Sequence, residues 1–274
     1  MKLTRHLTSR GPRCAADDYY LDSKVDLDSL LAMPAAKIPA FVKGILTGEV
    51  PQSRLLAPID PDQEVWAGGV TYQRSREARR AESDTGDVYD RVYAAKRPEL
   101  FFKSVGWRVR TDQDTVRIRA DSAWNVPEPE LTLVINRYAE IVGYTAGNDM
   151  SSRSIEGENP LYLPQAKIYD GSCALGEAIY LVGVGDMSEL PIFISIERAM
   201  NVIFQGETKT SHMNRGLEEL VGYLFKELSF PQGVFLMTGT GIVPPDHLTL
   251  EQGDRIIISV GEARLTNVVG IEEK

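Results

Sequence analysis

Two glutamates one residue apart, Glu128 and Glu130, stand in Val126-Pro-Glu-Pro-Glu-Leu-Thr-Leu-Val-Ile135 at the mouth of an apolar run. Each proline biases the residue before it, Val126 and Glu128, towards extended backbone. In an extended chain residues i and i+2 share a face, so the two carboxylates project side by side. Like charges so placed repel, and one takes up a proton unless a cation lies between them. Hard oxygen donors suit Mg²⁺, Mn²⁺ or Ca²⁺, and a few carboxylates completed by water and substrate oxygens is the usual Mg²⁺ arrangement. Taken alone, the pair is better explained as an exposed Pro-Glu turn, because glutamates are seldom buried.

A third carboxylate reverses that preference. Asp149, in Thr145-Ala-Gly-Asn-Asp-Met-Ser-Ser-Arg153, is expected in a polar turn directly after a buried strand ending near Tyr144, where sites are commonly built. It can complete a facial set of three oxygens. Asn148 or Ser151 acting as a plain turn residue or helix cap accounts for the same segment without a metal. Downstream, Lys167 is the lone lysine of Leu163-Pro-Gln-Ala-Lys-Ile-Tyr169. Most lysines are simply solvated, but beside a bound cation an amine loses its proton more easily and can serve as base or anion contact.

The elements that must position these groups are mainly β. Short β-branched runs at residues 115–120, 131–135, 178–183, 192–197, 201–205 and 255–260 predict strands. Their density favours a β-sandwich or roll over a doubly wound nucleotide fold. Leu217, Leu220, Val221, Leu224, Phe225 and Leu228 mark one amphipathic helix. Residues 74–96 are rich in helix formers and charges and are expected to be helical and peripheral, divided at Asp84-Thr85-Gly86. Prolines at 34, 39, 51, 58 and 61 make residues 1–60 a small N-terminal unit and linker before a main unit of residues 61–274.

The 274 residues are enough for a sizeable core, and 43% hydrophobic with 25% charged residues is a globular composition. A net charge of −9 argues against general nucleic-acid binding, which relies on clustered Lys and Arg. No apolar run follows the basic residues of 1–12 and none approaches a membrane span, so a cytoplasmic protein without a membrane partner is expected. Cys14 and Cys173 are far apart and lack a CxxC partner, which suggests neither a disulfide framework nor a zinc site.

At these residues the chain resembles the fumarylacetoacetate hydrolase family. Its Glu-x-Glu strand, Gly-Tyr-Thr, Asn-Asp, Ser-x-Arg, Lys and Gly-rich turn are similar to Glu128 and Glu130, Gly143-Tyr144-Thr145, Asn148-Asp149, Ser151 and Arg153, Lys167, and Gly171 with Gly176. Thr238-Gly-Thr-Gly-Ile-Val-Pro244 resembles the family's Thr-Gly-Thr turn, which implies that Gly239 and Thr240 meet a substrate carboxylate. The resemblance, over roughly residues 60–270, implies a mixed β-sandwich roll, a divalent metal on Glu128, Glu130 and Asp149, a 2-oxo acid ligand, and a homodimer or higher homo-oligomer. Arg153, Tyr72 and Lys103 become expected substrate contacts.

Two departures from the family pattern stand out. Hydrolases of the family resemble Gly-x-Asn-Tyr-x-x-His-x-x-Glu in the flap, whereas this chain reads Gly68-Gly-Val-Thr-Tyr-Gln-Arg-Ser75-Arg-Glu77. Its only histidines, His6, His212 and His247, lie elsewhere, so a histidine that activates water is not expected. Gly176-Glu177 replaces a usual Gly-Pro.

Segments 89–103, 158–169 and 238–244 are similar to the 2-dehydro-3-deoxy-D-arabinonate dehydratase branch of the family. That similarity implies Mg²⁺-dependent (or Mn²⁺-dependent) dehydration of a 2-dehydro-3-deoxy-D-pentonate to 2,5-dioxopentanoate in oxidative pentose catabolism. Chelation of the carboxylate and carbonyl acidifies the C3 proton. Lys167 is then the first choice of base and Glu99 of the acid that assists hydroxide departure, with the roles exchangeable. Arg97 and Lys103 fit ordinary ion pairs with Glu99 equally well. A metal-dependent acylpyruvate hydrolase or oxaloacetate decarboxylase is the alternative within enzymes, and a non-catalytic metabolite-binding relative the alternative outside them.

Overall fold

All seven residues of the strand Pro129–Ile135 are buried, which is why its sequence is almost continuously apolar rather than alternating. Leu131, Leu133 and Ile135 enter one apolar layer with Ile192, Ile194, Ile196, Ile256 and Ile258. Val134 faces the opposite way, into a second layer with Val65, Phe235, Met237, Leu27, Leu30 and Leu31. The computed structural model describes residues 1–82 and 87–271.

Among these residues the larger sheet runs in the order Tyr19–Tyr20, Gly11–Ala16, Lys2–Thr8, Ala178–Tyr180, Ile141–Asp149, Pro129–Ile135, Val234–Met237, Glu64–Gly69 and Glu99–Val105. Cys173–Leu175 pairs with Ile141–Asp149, and Arg54–Leu56 with Lys2–Thr8. A five-stranded sheet of Asn201–Lys209, Pro191–Arg198, Arg255–Val260, Ala263–Gly270 and Thr115–Arg117 supplies the isoleucines of the first layer. Val234–Met237 runs parallel to Glu64–Gly69, and Ala263–Gly270 parallel to Thr115–Arg117, so both sheets are mixed. The mixed β architecture is the one expected.

Every expected strand forms, and others join them. Lys2–Thr8 enters the large sheet by pairing with Ala178–Tyr180. Lys2 Nζ lies 2.5 Å from Glu177 Oε1, so the unusual Glu177 fastens that junction. The helix Leu217–Leu224 turns Leu220, Val221 and Leu224 into the core, but it stops short of Leu228, which is 45% exposed.

Two expectations need correction. The strand thought to end near Tyr144 continues to Asp149. Its polar Thr145 and Asn148 read as a turn, yet they pair with Thr132 and Pro129 and are buried. The helix Gln73–Glu82 is not peripheral, since Ser75 and Arg79 are buried against the rest of the chain. A second helix, Asp87–Ala94, follows. The expected break at Asp84-Thr85-Gly86 lies outside the described residues.

Leu133 is fully buried in the layer between the sheets, so Leu133→Ala should cost about 2–5 kcal/mol. The check is a lowered urea midpoint at unchanged slope, with metal binding by the folded fraction retained.

Candidate metal centre and catalytic cleft

Strand register creates the acidic site. Gly147 lies opposite Glu130 and Asn148 opposite Pro129, and the Asp149 N–H donates to the Glu128 carbonyl at 3.0 Å. Residues paired across a ladder share a face. Glu128, Glu130 and Asp149 therefore converge, and one carboxylate oxygen of each lies within 4.8 Å of the others. All three are buried. Burial, and then the charges of Asp149 and Glu128, push the Glu130 carboxyl well above the usual carboxylate range. Three hard, anionic oxygens in mutual conflict are the donor set a divalent cation such as Mg²⁺ or Mn²⁺ satisfies.

Among the described residues four cations, Lys167, Arg79, Arg153 and Lys103, surround this set. Lys167 Nζ is 2.7 Å from Glu128 Oε2 and 3.0 Å from Asp149 Oδ2. Arg79 and Arg153 reach Glu128 Oε1 at 2.7 and 3.1 Å, and Arg79 also pairs with Glu156. Burial opposes ionisation of Glu128, but Lys167, Arg79 and Arg153 outweigh it and hold that carboxyl well below the ordinary range. Burial likewise opposes the Lys167 ammonium, and the charges of Asp149 and Glu128 overcome it, so its proton is held more tightly than in water. The main chain adds one contact, since the Gly239 N–H donates to Glu130 Oε2 at 2.6 Å.

A cleft of about 320 Å³ opens onto the carboxylates, walled by Gly68–Val70, Ser75, Arg79, Glu99, Phe101, Glu156, Leu163, Lys167, Gly239 and Thr240. Glu99 pairs with Gly69 across the ladder. A Cβ on Gly69 would stand 2.0 Å from Glu99 Oε2, so the bare glycine makes the space in which that carboxyl lies. Burial raises the Glu99 carboxyl above its usual range, only partly offset by Arg79 and Lys167. Gly239 adopts a φ of 91°, a left-handed conformation natural to glycine. Thr71 Oγ1 donates to the Thr238 carbonyl at 2.6 Å and ties the flap to this turn.

The expected site residues divide into two groups. Glu128, Glu130, Asp149, Lys167, Glu99, Gly239 and Thr240 line one cleft. Lys103, Arg153 and Tyr72, expected as substrate contacts, do not. The buried Lys103 ammonium lies 2.5 Å from Asp149 Oδ1 and donates to the Met150 and Lys167 carbonyls, so it positions a ligand carboxylate from behind. Arg153 stands behind Glu128 in the same way. Tyr72 is buried with its hydroxyl unpartnered among the described residues, and its ring packs where a Cβ on Gly241 would come within 2.6 Å. Sequence reading missed Ser75, Arg79 and Glu156. The i,i+4 spacing of Ser75 and Arg79 and the i,i+3 spacing of Arg153 and Glu156 were visible signals, but nothing local showed that these helices face the cleft.

Removing one ligand charge should abolish cation binding. Glu130→Gln and Asp149→Asn are expected to lose calorimetric Mg²⁺ or Mn²⁺ binding, while Glu99→Gln, outside the triad, retains it.

The family model for the C-terminal region of fumarylacetoacetate (FAA) hydrolase matches residues 65–270. A Haloferax volcanii protein named "probable 2-keto-3-deoxyxylonate dehydratase" is 48% identical over 214 residues, 77% of this chain and 73% of its own length. A 2-dehydro-3-deoxy-D-arabinonate dehydratase of Saccharolobus solfataricus is 40% identical over 213 residues, 76% of this chain and 71% of its own. Among solved structures, a 2-keto-3-deoxy-D-arabinonate dehydratase complexed with magnesium and 2,5-dioxopentanoate is similar over 100% of both chains, with a TM-score of 0.80 and 31% identity. The carboxylate triad at paired strands, the mixed β fold and these matches together show that this chain belongs to the fumarylacetoacetate hydrolase family.

Proposed function

We propose that this chain is a hydro-lyase that dehydrates a 2-dehydro-3-deoxy-D-pentonate, derived from arabinonate or xylonate, to 2,5-dioxopentanoate. The observation that carries this reading is Glu99, a carboxyl whose ionisation burial opposes, on the wall of a cleft whose floor is the Glu128, Glu130 and Asp149 triad. The named activities of the relatives, and the magnesium and dioxopentanoate of the solved neighbour, support it. Among the described residues no histidine lines the cleft, which speaks against water activation of the hydrolase kind.

Bound on the three carboxylates, Mg²⁺, with Mn²⁺ as the alternative, supplies Lewis acidity to a 2-oxo acid and so makes its C3 proton labile. Lys167 keeps its own proton through Glu128 and Asp149. Where those carboxylates are drawn to a cation, that support is lost and the amine is free to accept the C3 proton. Glu99, protonated, gives its proton to the departing C4 hydroxyl. These two losses leave a C3=C4 double bond conjugated with the C2 carbonyl; a C5 proton then passes to the Glu99 carboxylate while Lys167 returns its proton to C3, and the C4=C5 enol so formed tautomerises to the aldehyde, so no redox cofactor is required. Gly239 and Thr240 border the end of the cleft next to Glu130 and offer the contacts for the substrate carboxylate. The residues of this machinery all fall within 61–274, with 1–60 as a smaller N-terminal unit.

Among the described residues no helix is long and apolar enough to cross a membrane, and a cytoplasmic setting belongs to this reading. So does a homo-oligomer, a dimer or larger. The strand Asn201–Lys209, an edge of the smaller sheet, leaves Val202 and Ile203 exposed.

Purified protein with Mg²⁺ should convert the 2-dehydro-3-deoxypentonate to 2,5-dioxopentanoate and leave an acylpyruvate intact; turnover of the acylpyruvate alone would replace the proposal with the hydrolase reading. Glu99→Gln and Lys167→Met should each lower kcat by about 10²–10⁴. Because Glu99 acts in its protonated form, activity should be lost as pH rises through its raised pKa, placing that limb above the ordinary value of about 4.3. Gly69→Ala should leave metal binding and fold intact while displacing the Glu99 carboxyl, with turnover down about 10²-fold in a steady-state assay.

A further inference from the structure

We propose that Ser75 is the contact for the substrate's terminal hydroxyl, the one beyond the carbon that loses water, and is thereby a specificity-determining residue. The inference rests on the dehydratase reading above. Ser75 lies on the helix Gln73–Glu82, is only 5% exposed, and lines the cleft. No described residue hydrogen-bonds its hydroxyl.

The other polar side chains of the cleft already have partners or roles. Arg79 is engaged by Glu128 and Glu156, and Glu156 also accepts from Ser151 Oγ at 3.2 Å. The Thr240 hydroxyl closes its own turn on the Ile242 carbonyl and N–H, both at 3.2 Å. The triad and Lys167 serve the chelated end and C3, and Glu99 serves the C4 hydroxyl. Phe101 and Leu163 offer only apolar surface. The unpartnered Tyr72 hydroxyl lies outside the cleft lining, so Ser75 is the cleft-lining hydroxyl left over, and the C5 hydroxyl is the substrate group left over.

Position agrees with this assignment. Ser75 and Arg79 are four residues apart, hence neighbours on one helix face. Arg79 is anchored to Glu128, and Ser75, about one helical turn or roughly 5.4 Å away along the axis, lines the same cleft at a point set apart from that anchor. That is the order of offset needed to reach from the chelated end of a 2-oxo acid to a hydroxyl three carbons away. A serine hydroxyl both donates and accepts, and so suits an alcohol, which does the same.

The test compares the pentonate with its 5-deoxy analogue, 2-dehydro-3,5-dideoxypentonate, on wild type, Ser75→Ala and Ser75→Thr with Mg²⁺. Wild type should prefer the pentonate by about tenfold in kcat/KM, the worth of one neutral hydrogen bond. Ser75→Ala should lose that preference by slowing on the pentonate alone, with the analogue as control for the fold; Ser75→Thr should keep it. A fall on both compounds alike, or a preference that survives Ser75→Ala, overturns the assignment. Should wild type turn over neither compound, Kd values with Mg²⁺ decide: a Kd ratio that Ser75→Ala erases supports the contact and discards only the reaction. Equal Kd values, or no binding of either, discard both.

Discussion

Three carboxylates are buried on one face of two paired strands, and the repulsion among them is the constraint the rest of the site answers. Two unit charges 4.8 Å apart repel by about 3 kcal/mol at an effective dielectric of about 20, and burial adds a desolvation cost for each. The chain compensates with cations drawn from separate elements. Lys103 comes from the strand Glu99–Val105, Arg79 from Gln73–Glu82, Arg153 from the start of Arg153–Glu158 and Lys167 from the end of Leu163–Lys167. Glu130 alone of the triad has no cation within ion-pair distance among the described residues and relies on the Gly239 N–H. The charge left unmatched is where a metal ion has most to gain.

The cleft is walled by the large sheet on one side and by a helix on the other. The triad, Gly239 and Glu99 sit on strands, or at strand ends, of the large sheet, whose central members are buried on both faces. The opposite wall comes from the helix Gln73–Glu82, joined to the sheet by the Arg79–Glu128 ion pair and by the Thr71–Thr238 hydrogen bond. The helix is thus tied directly to one carboxylate of the acidic site. A buried ion pair of this kind is costly to break, because the partner left behind is an uncompensated charge.

The chemistry follows from contrasting environments. Glu128 is crowded by cations that favour its ionised form, whereas Glu99 lies over Gly69, where burial opposes ionisation and Arg79 and Lys167 offset it only in part. In the proposed dehydration that contrast divides the work between two carboxyls of one cleft, one holding charge and one delivering a proton. The same logic makes the buried thiols inert: burial pushes Cys14 and Cys173 up to about 12, and both are free.

By itself the sequence determined what local physics controls. The prolines before Glu128 and Glu130 force extended backbone, so the side-by-side carboxylates were legible, as were the strands whose β-branched runs follow. The family motifs made Asp149, Lys167 and the Thr-Gly-Thr turn legible as well. What only the tertiary structure decided is whatever depends on pairing across long separations. Asp149 read as a turn residue because its neighbours are polar, and only the ladder with Pro129–Ile135 shows it to be in a strand. Lys103 and Arg153 read as substrate contacts, but their donors turn to Asp149 and Glu128 from behind the cleft. The spacing of Ser75, Arg79 and Glu156 showed which residues share a helical face but not that the face lines the cleft, because a helical face acquires meaning only from what it packs against. Periodicity reports which way a side chain points along its own element, and the fold alone reports what lies there.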